Sequence, residues 1–235
     1  MTTRSELSSE VDHYLRSYLA TEAQKARDER LAITLSREAG IDAVTVGELL
    51  TDYLDEVTDH DTTLNWICLD QPLVEAVIDR YEFPKAITPY LVEKTKFPVL
   101  RSLEEQLKLH PSEWTLFHYT AATIRNLCRH GNVVVVGRAG NFITFDLSNT
   151  FHVRLIGDEK KRAEQLASEN QCSLTDALEL VRTKDRERAE YVKRYTGSSV
   201  ADPKFYHLTI SIDNFEPSML AHIIADSLLE WHHGR

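Results

Sequence analysis

The stretch that decides the fold reads Val133-Val134-Val135-Val136-Gly137-Arg138-Ala139-Gly140-Asn141. Four consecutive β-branched residues predict a strand that is buried on both faces, as in the middle of a parallel sheet. The glycines that follow predict a turn at the carboxyl end of this strand. Because open parallel sheets bind ligands at the carboxyl ends of their strands, Gly137 and Arg138 are candidate binding residues.

The segments on either side of this stretch repeat a strand–turn–helix pattern. Apolar or β-branched runs predict further strands at residues 31–35, 65–69, 151–156 and 206–212. Helical periodicity predicts helices at residues 44–57, 71–81, 114–130, 158–169, 174–195 and 217–231. This alternation predicts an α/β fold of three layers, in which a mostly parallel sheet of about five strands carries helices on both faces.

The chain divides into an N-terminal helix and one larger domain. Residues 1–30 carry apolar side chains at helical spacing, which predicts an amphipathic helix that either docks on the core or forms an oligomer. Residues 31–235 form the main domain. Within it, four prolines between residues 82 and 112 predict a substrate-side insertion of short helices and loops.

The charge of the chain is negative and unevenly distributed. Lys and Arg number 27 against 37 Asp and Glu, a net charge of −10, which disfavours a nucleic-acid partner. Residues 38–79 contain eleven acidic residues and no Lys or Arg. This segment is either a solvated acidic surface or a surface that repels anions or binds a partner.

Cysteine usage and hydropathy point to the cytoplasm. Cys68, Cys128 and Cys172 are odd in number and widely spaced, so we expect free thiols in a reducing compartment. No apolar run is long enough to predict a membrane span, and the N-terminus lacks the apolar core of a signal peptide. The pairs His60-Asp61 and His232-His233 lack further ligands nearby in the sequence, so no protein-bound metal is predicted.

Arginines at two strand ends and on one helix are candidates for binding an anion. Arg37 and Arg138 each follow a predicted strand, where a guanidinium can hold phosphate oxygens or pair with a carboxylate across the sheet end. Residues 181–195 contain six basic residues against three acidic ones. This helix either directs several arginines at one anion or presents a solvated charged face.

These segments resemble the cytidylate kinase-like family, a branch of the P-loop nucleoside monophosphate kinases, over about residues 31–230. The resemblance rests on residues 35–40, 66–70, 133–141, 151–156, 184–192 and 202–208. It implies a P-loop NTPase-like fold with an arginine-bearing lid at residues 174–204. It also implies transfer of the γ-phosphoryl group of ATP, with Mg²⁺, to a nucleoside monophosphate, by positioning and charge neutralisation.

The resemblance also assigns roles to individual residues. Gly137 and Arg138 would hold the monophosphate, and Arg162 would lie near the base or phosphates of ATP. The lid would act through Arg182, Arg186 and Arg188, with Asp185 orienting them. The remaining nucleotide-binding positions that the resemblance implies are Ser36, Arg37, Gly40 and Asp70.

The phosphate loop departs from the standard pattern G-x-x-x-x-G-K-[ST]. The same stretch here reads Ser36-Arg37-Glu38-Ala39-Gly40-Ile41-Asp42-Ala43. Asp42 stands at the lysine position, and Ala43 lacks the hydroxyl that binds Mg²⁺. A carboxylate about 4 Å from a triphosphate costs on the order of 4 kcal/mol at an effective dielectric of 20, so ATP is expected to bind weakly unless Asp42 points away.

Two functions follow from these observations. The first is a divergent, cytidylate-like nucleoside monophosphate kinase that uses ATP and Mg²⁺. The alternative is a catalytically impaired protein that senses a nucleotide or binds a partner on the same fold. In either case the expected ligand is a small-molecule nucleotide. If the N-terminal helix does not dock on the core, it is the segment through which a homo-oligomer would form.

Overall fold

Five strands in the described part of the chain form one parallel sheet. The computed structural model describes residues 30–58, 64–70, 72 and 113–234. The strands are β1 (Ala32–Arg37), β2 (Ile67–Leu69), β3 (Val133–Val136), β4 (Thr150–Ile156) and β5 (Leu208–Ser211). Their order across the sheet is β2-β3-β1-β4-β5, and all four pairings are parallel. The order changes direction around β1, so a crevice is expected at its carboxyl end.

Helices cover both faces of this sheet. They are α1 (Ala43–Val57), α2 (Glu113–His130), α3 (Gly140–Ile143), α4 (Glu159–Asn170), α5 (Leu174–Thr196) and α6 (Pro217–His233). Side chains of α1 and α6 pack in one apolar cluster with β1, β3 and β4, and side chains of α2 pack in a second cluster with β2 and β3. The predicted three-layer α/β architecture is confirmed.

Strand β3 has one face in each of the two apolar clusters of the core. Val134 and Val136 belong to the cluster with α1 and α6, whereas Val133 and Val135 belong to the cluster with α2. All four side chains are at most 1% exposed. Successive side chains of a strand point to opposite faces, so an unbroken β-branched run is what a central strand of such a sheet requires.

The described strands and the five longer helices lie where the sequence predicted them, with small changes at the ends, whereas the short helix α3 was not predicted. The last strand is shorter than predicted, beginning at Leu208 rather than at residue 206. The N-terminal helix, the helix at residues 71–81 and the insertion at residues 82–112 lie outside the described residues. Among the described helices, none combines the length and the apolar character that crossing a membrane requires.

Helix α1 begins with a capping carboxylate rather than with a phosphate-binding turn. The Asp42 side chain accepts a hydrogen bond from the Thr45 backbone N–H at 3.1 Å and another from the Thr45 hydroxyl at 2.7 Å. This arrangement satisfies one of the backbone donors that every helix leaves unpaired at its start.

Replacing Asp42 therefore tests the cap. We expect Asp42→Ala to lower the free energy of unfolding by about 1 kcal/mol, because a donor loses its partner. Urea denaturation measures the change. Asp52→Ala, at an exposed position of the same helix, is the matched control and should change that free energy by about 0.5 kcal/mol or less. Equal losses in the two variants would show that Asp42 does not cap the helix.

Candidate functional site

A cavity of about 350 Å³ opens where β1 and β3 end, and α5 lies across it. Its walls are the carboxyl end of β1, the turn that follows β3, one face of α5 and one loop residue. The lining residues are Thr34, Leu35, Ser36, Arg37, Gly137, Arg138, Ala139, Asn141, Lys184, Glu187, Arg188, Tyr191, Val192 and Val200. This is the crevice that the strand order predicts for a ligand.

Three arginines from three separate elements line this cavity. Arg37 comes from β1, Arg138 from the turn after β3, and Arg188 from α5. The pKa of Arg37 is lowered to about 10, first by burial and then by the positive charge of Arg188, with a smaller effect of Arg138; Asp70 opposes the shift. Like charges held together in a partly buried cavity raise the free energy of the empty site, and a bound anion would lower it.

The turn after β3 holds a strained backbone at the cavity wall. Gly137, Arg138 and Ala139 have φ angles of 85°, 52° and 55°, all in the left-handed region. For the two residues with side chains this conformation costs energy, and such strain collects at ligand-binding sites. The Arg37 guanidinium lies against the Cα of Gly137, so any side chain at position 137 would overlap it.

Helix α5 presents one face to the cavity. The lining residues Lys184, Glu187, Arg188 and Tyr191 recur at helical spacing. The Tyr191 ring lies 5.8 Å from the Arg138 guanidinium carbon, a cation–π contact that joins the helix to the β3 turn. The cavity therefore combines cationic groups with an aromatic and apolar wall.

The loop between β1 and α1 is closed by a buried arginine. Arg162, which is 7% exposed, donates from Nη1 to the Ala39 carbonyl and to Asp185 Oδ2, both at 2.8 Å. Its Nε donates to the Gly157 carbonyl at 2.9 Å. The second oxygen of Asp185 accepts the Ala39 backbone N–H at 2.6 Å. Asp185 therefore joins α5 to the loop that follows β1.

Glu38 supplies a second carboxylate to the same network. Its Oε2 accepts the Gly157 backbone N–H at 3.1 Å and lies 3.4 Å from Arg162 Nη2. Its Oε1 lies 3.6 Å from Arg154 Nη2. Gly40, with φ of 80°, sits directly against the Arg162 carbonyl, where a side chain would not fit. Side chains of the protein itself therefore pack against the loop between β1 and α1 and pair with its charged group.

The amino-acid sequence of this chain matches the model of a known protein family. A model of the cytidylate kinase-like family matches residues 32–214, which is most of the chain. The chain belongs to the cytidylate kinase-like family. Its fold is the P-loop NTPase-like α/β fold that the resemblance implied, and the coarse function that follows is that of a kinase-like, nucleotide-binding protein.

Two solved structures are similar to this chain at low sequence identity. An uncharacterized protein from Eubacterium ventriosum ATCC 27560 aligns with a TM-score of 0.61 at 16% identity, over 88% of this chain and 100% of that one. A gluconokinase from Sinorhizobium meliloti 1021 aligns with a TM-score of 0.44 at 16% identity, over 86% of this chain and 92% of that one. No curated protein matches the sequence. The first of these likenesses supports the fold of this cytidylate kinase-like chain.

The structure brings some of the predicted site residues together and separates others. Those that line the cavity are Ser36, Arg37, Gly137, Arg138 and Arg188. Gly40, Arg162 and Asp185 meet in the closed loop instead. Asp70 follows β2 and lies near enough to Arg37 to raise the pKa of that arginine.

Arg182 and Arg186 lie on a different face of α5 from the cavity. Arg182 donates to Glu159 Oε1 of α4 from Nε at 3.0 Å and from Nη2 at 2.6 Å. This pairing lowers the pKa of Glu159. Arg186 donates to the Thr183 hydroxyl at 3.3 Å. In the described arrangement, neither guanidinium lines the cavity that Arg37, Arg138 and Arg188 share, hereafter the arginine cavity.

Several cavity residues were not singled out from the sequence. They are Thr34, Asn141, Lys184, Glu187 and Tyr191. The spacing of 184, 187, 188 and 191 was a usable signal, because these positions share one helical face with Arg188. Asn141 directly follows the glycine-rich turn, whereas nothing local marks Thr34.

The family implies ATP and Mg²⁺, and the loop offers a direct test of whether they fit. A phosphate loop holds phosphate oxygens on free backbone N–H groups and a metal on a Ser or Thr hydroxyl. Here the Ala39 and Thr45 N–H groups donate to carboxylates, and position 43 is alanine. The Ile41 side chain is buried in the core. These residues do not fit a triphosphate–magnesium complex.

Proposed function

We propose that this cytidylate kinase-like chain binds a nucleoside monophosphate by its phosphate group in the arginine cavity. One observation carries the proposal: Arg37, Arg138 and Arg188 converge on a single cavity at the carboxyl ends of the central strands. Within the described part of the chain, Arg37 makes no ion pair that would balance its charge. A dianionic phosphate would supply the negative charge that balances these arginines, and its oxygens would accept hydrogen bonds from several guanidinium groups.

The rest of the cavity suits an organic group attached to that phosphate. Tyr191, Val192 and Val200 provide an aromatic and apolar wall beside the arginines, and the volume is in the usual range for a small-molecule site. Glu187 and Asn141 add polar groups that can fix the orientation of the ligand. Family membership supports a nucleoside as that organic group.

The second candidate function is transfer of a phosphoryl group from ATP to the bound monophosphate. Lys184 and Arg188 favour it, because α5 brings both into the cavity that Arg37 and Arg138 line. Several cations around one anion are what phosphoryl transfer uses. Because the loop after β1 does not fit a triphosphate–magnesium complex, a donor such as ATP would have to bind at the cavity itself.

A two-stage measurement tests both candidates. Thermal unfolding is first followed with nucleoside mono- and triphosphates of the common bases, each with and without Mg²⁺. Binding at a hundred times Kd adds about 2.7 kcal/mol of stability, so a genuine monophosphate ligand raises the Tm clearly. ADP release is then measured with every monophosphate that binds. Absence of any Tm shift with monophosphates contradicts binding, and absence of ADP release with a bound monophosphate contradicts transfer.

The cytoplasm is the compartment that we propose for this function. Cys68, Cys128 and Cys172 are free thiols in the structure, as a reducing environment permits. Burial raises the pKa of Cys68 and of Cys128 to about 12, which keeps these two thiols protonated and unreactive. A small-molecule nucleotide is the proposed partner.

A further inference from the structure

We infer that Asp185 serves as a built-in anion for the loop that follows β1, so that this chain takes its phosphorylated ligand without a nucleoside triphosphate on that loop. The inference deepens the proposed function and rests on it for the identity of the cavity ligand. Its own basis is the hydrogen bonding of the loop, which is independent of what the cavity binds.

The contacts of Asp185 are those that a phosphate group would make. One carboxylate oxygen accepts the Ala39 backbone N–H at 2.6 Å, and the other accepts Arg162 Nη1 at 2.8 Å. A loop N–H and a guanidinium are the donors that phosphate oxygens use at the start of a helix in this type of fold. Two charge-assisted hydrogen bonds, one from the backbone, hold the carboxylate in that position.

The positive charge of Arg162 at the loop is already paired with carboxylates of the protein. The Arg162 side chain is 8% exposed and lies between Asp185 and Glu38, 3.4 Å from the latter. The Asp42 carboxylate adds a third negative charge at the start of α1, where it engages Thr45. A triphosphate would therefore meet carboxylates where an ordinary phosphate loop offers free N–H groups and a lysine.

The same carboxylate connects the loop to the cavity. Asp185 Oδ1 lies 3.8 Å from Nη1 of Arg188, one turn further along α5, and Arg188 lines the cavity. In the described structure α5 is held over the cavity by Asp185 and by its packing on α4. Asp185 thus lies beside the arginine that α5 contributes to the cavity.

Calorimetric titration of the full chain tests this inference. Arg37→Met weakens anion binding in the arginine cavity, and in this background we expect no saturable binding of ATP–Mg²⁺ or of inorganic tripolyphosphate at millimolar concentration. Asp185→Asn removes the charge but keeps the shape, and its addition to Arg37→Met should produce saturable binding of tripolyphosphate, at least about tenfold tighter than the limit set by Arg37→Met alone. Glu190→Gln, which removes one charge from an exposed position of the same helix, is the matched control and should show no gain.

The outcomes separate this inference from the proposed function. Micromolar binding of ATP–Mg²⁺ that persists in Arg37→Met overturns the inference, whether or not Asp185→Asn folds. A folded Asp185→Asn variant, checked by circular dichroism, that gains no affinity for tripolyphosphate also overturns it, as does an equal gain in Glu190→Gln. Failure of every monophosphate to bind the wild type contradicts the proposed function alone and leaves the role of Asp185 standing.

Discussion

Replacing Arg37 by methionine should weaken monophosphate binding by about 10- to 100-fold and at the same time stabilise the folded protein. The loss of affinity follows because hydrogen bonds to a charged group contribute about 1.5–3 kcal/mol, and methionine keeps the length of the side chain without its charge. Calorimetric titration measures the affinity, and urea denaturation measures the free energy of unfolding.

The gain in stability follows from the electrostatics of the empty cavity. The pKa of Arg37 falls to about 10 through burial and the neighbouring charge of Arg188, so folding disfavours its charged form. A neutral side chain avoids this cost, and we expect the free energy of unfolding to rise by about 1–3 kcal/mol. A side chain that destabilises the protein without ligand and stabilises its complex with the ligand shows the behaviour expected of a binding residue.

Arg182→Met is the matched control for Arg37→Met. It makes the same chemical change at an exposed arginine that pairs with Glu159, away from the cavity. We expect its affinity for the monophosphate to stay within about twofold of the wild type, and its free energy of unfolding to show no gain like that of Arg37→Met. If both substitutions weaken binding equally, general attraction of the anion explains the affinity and the cavity has no special role.

Acid should destabilise the protein through one buried histidine. His152 is 1% exposed, and its Nδ1 lies 2.9 Å from the Thr34 hydroxyl oxygen. Its Nε2 is buried and makes no hydrogen bond within the described chain. Burial, together with the charge of His207, lowers the pKa of His152 from 6.5 to about 3.

The sign of the effect follows from which state takes up the proton. Between pH 6.5 and about pH 3 the unfolded chain protonates this histidine and the folded chain does not, so stability falls as the pH falls through this window. The loss attributable to His152 is about 2–3 kcal/mol at pH 4.5 and about 4 kcal/mol at pH 3. Above pH 7 the histidine is neutral in both states and contributes no dependence on pH.

A substitution isolates this contribution from that of the carboxylates. His152→Asn keeps a polar group near Thr34 but does not titrate. The free energy of unfolding is measured in urea at pH 7.5 and at pH 4.5 for both proteins. The wild type should lose about 2–3 kcal/mol more than the variant over this interval. Equal losses would mean that the folded protein accepts the proton at His152 without penalty.

The fold was predictable because its signals are local. The run Val133–Val136 and the segment 151–156 predict buried central strands. The glycine-containing turns that follow strands predict the edge of the sheet at which Arg37 and Arg138 both lie. The carboxyl ends of parallel strands lie together, so two arginines about a hundred residues apart could be assigned to one site.

The different positions of the three arginines of α5 were partly predictable from helical geometry. Arg182 and Arg186 are four residues apart and share a face, whereas Arg188 lies around the helix from Arg182 and shares its face with Lys184 and Tyr191. The sequence grouped all three arginines because they lie within two turns. Only the position of α4 shows that Arg182 is directed toward Glu159.

The closure of the loop could not be predicted, because its partners are far apart in the sequence. Ala39 and Asp185 are separated by 146 residues, and nothing near either one indicates the contact. The role of Asp42 was more accessible. An aspartate that accepts the backbone N–H three residues later is an ordinary helix cap. Asp42 fits this pattern, although it also stands at the position of the lysine in a phosphate loop.

Calorimetric titration of the wild-type chain with cytidine monophosphate and, separately, with cytidine tests the central claim most directly. If the arginine cavity holds a phosphate, the monophosphate binds saturably with one site per chain, and the nucleoside shows no binding at the same concentrations. Uridine, adenosine and guanosine monophosphates extend the comparison to other bases. Binding of the nucleosides as tightly as their monophosphates, or binding of none of the four monophosphates, would contradict the account.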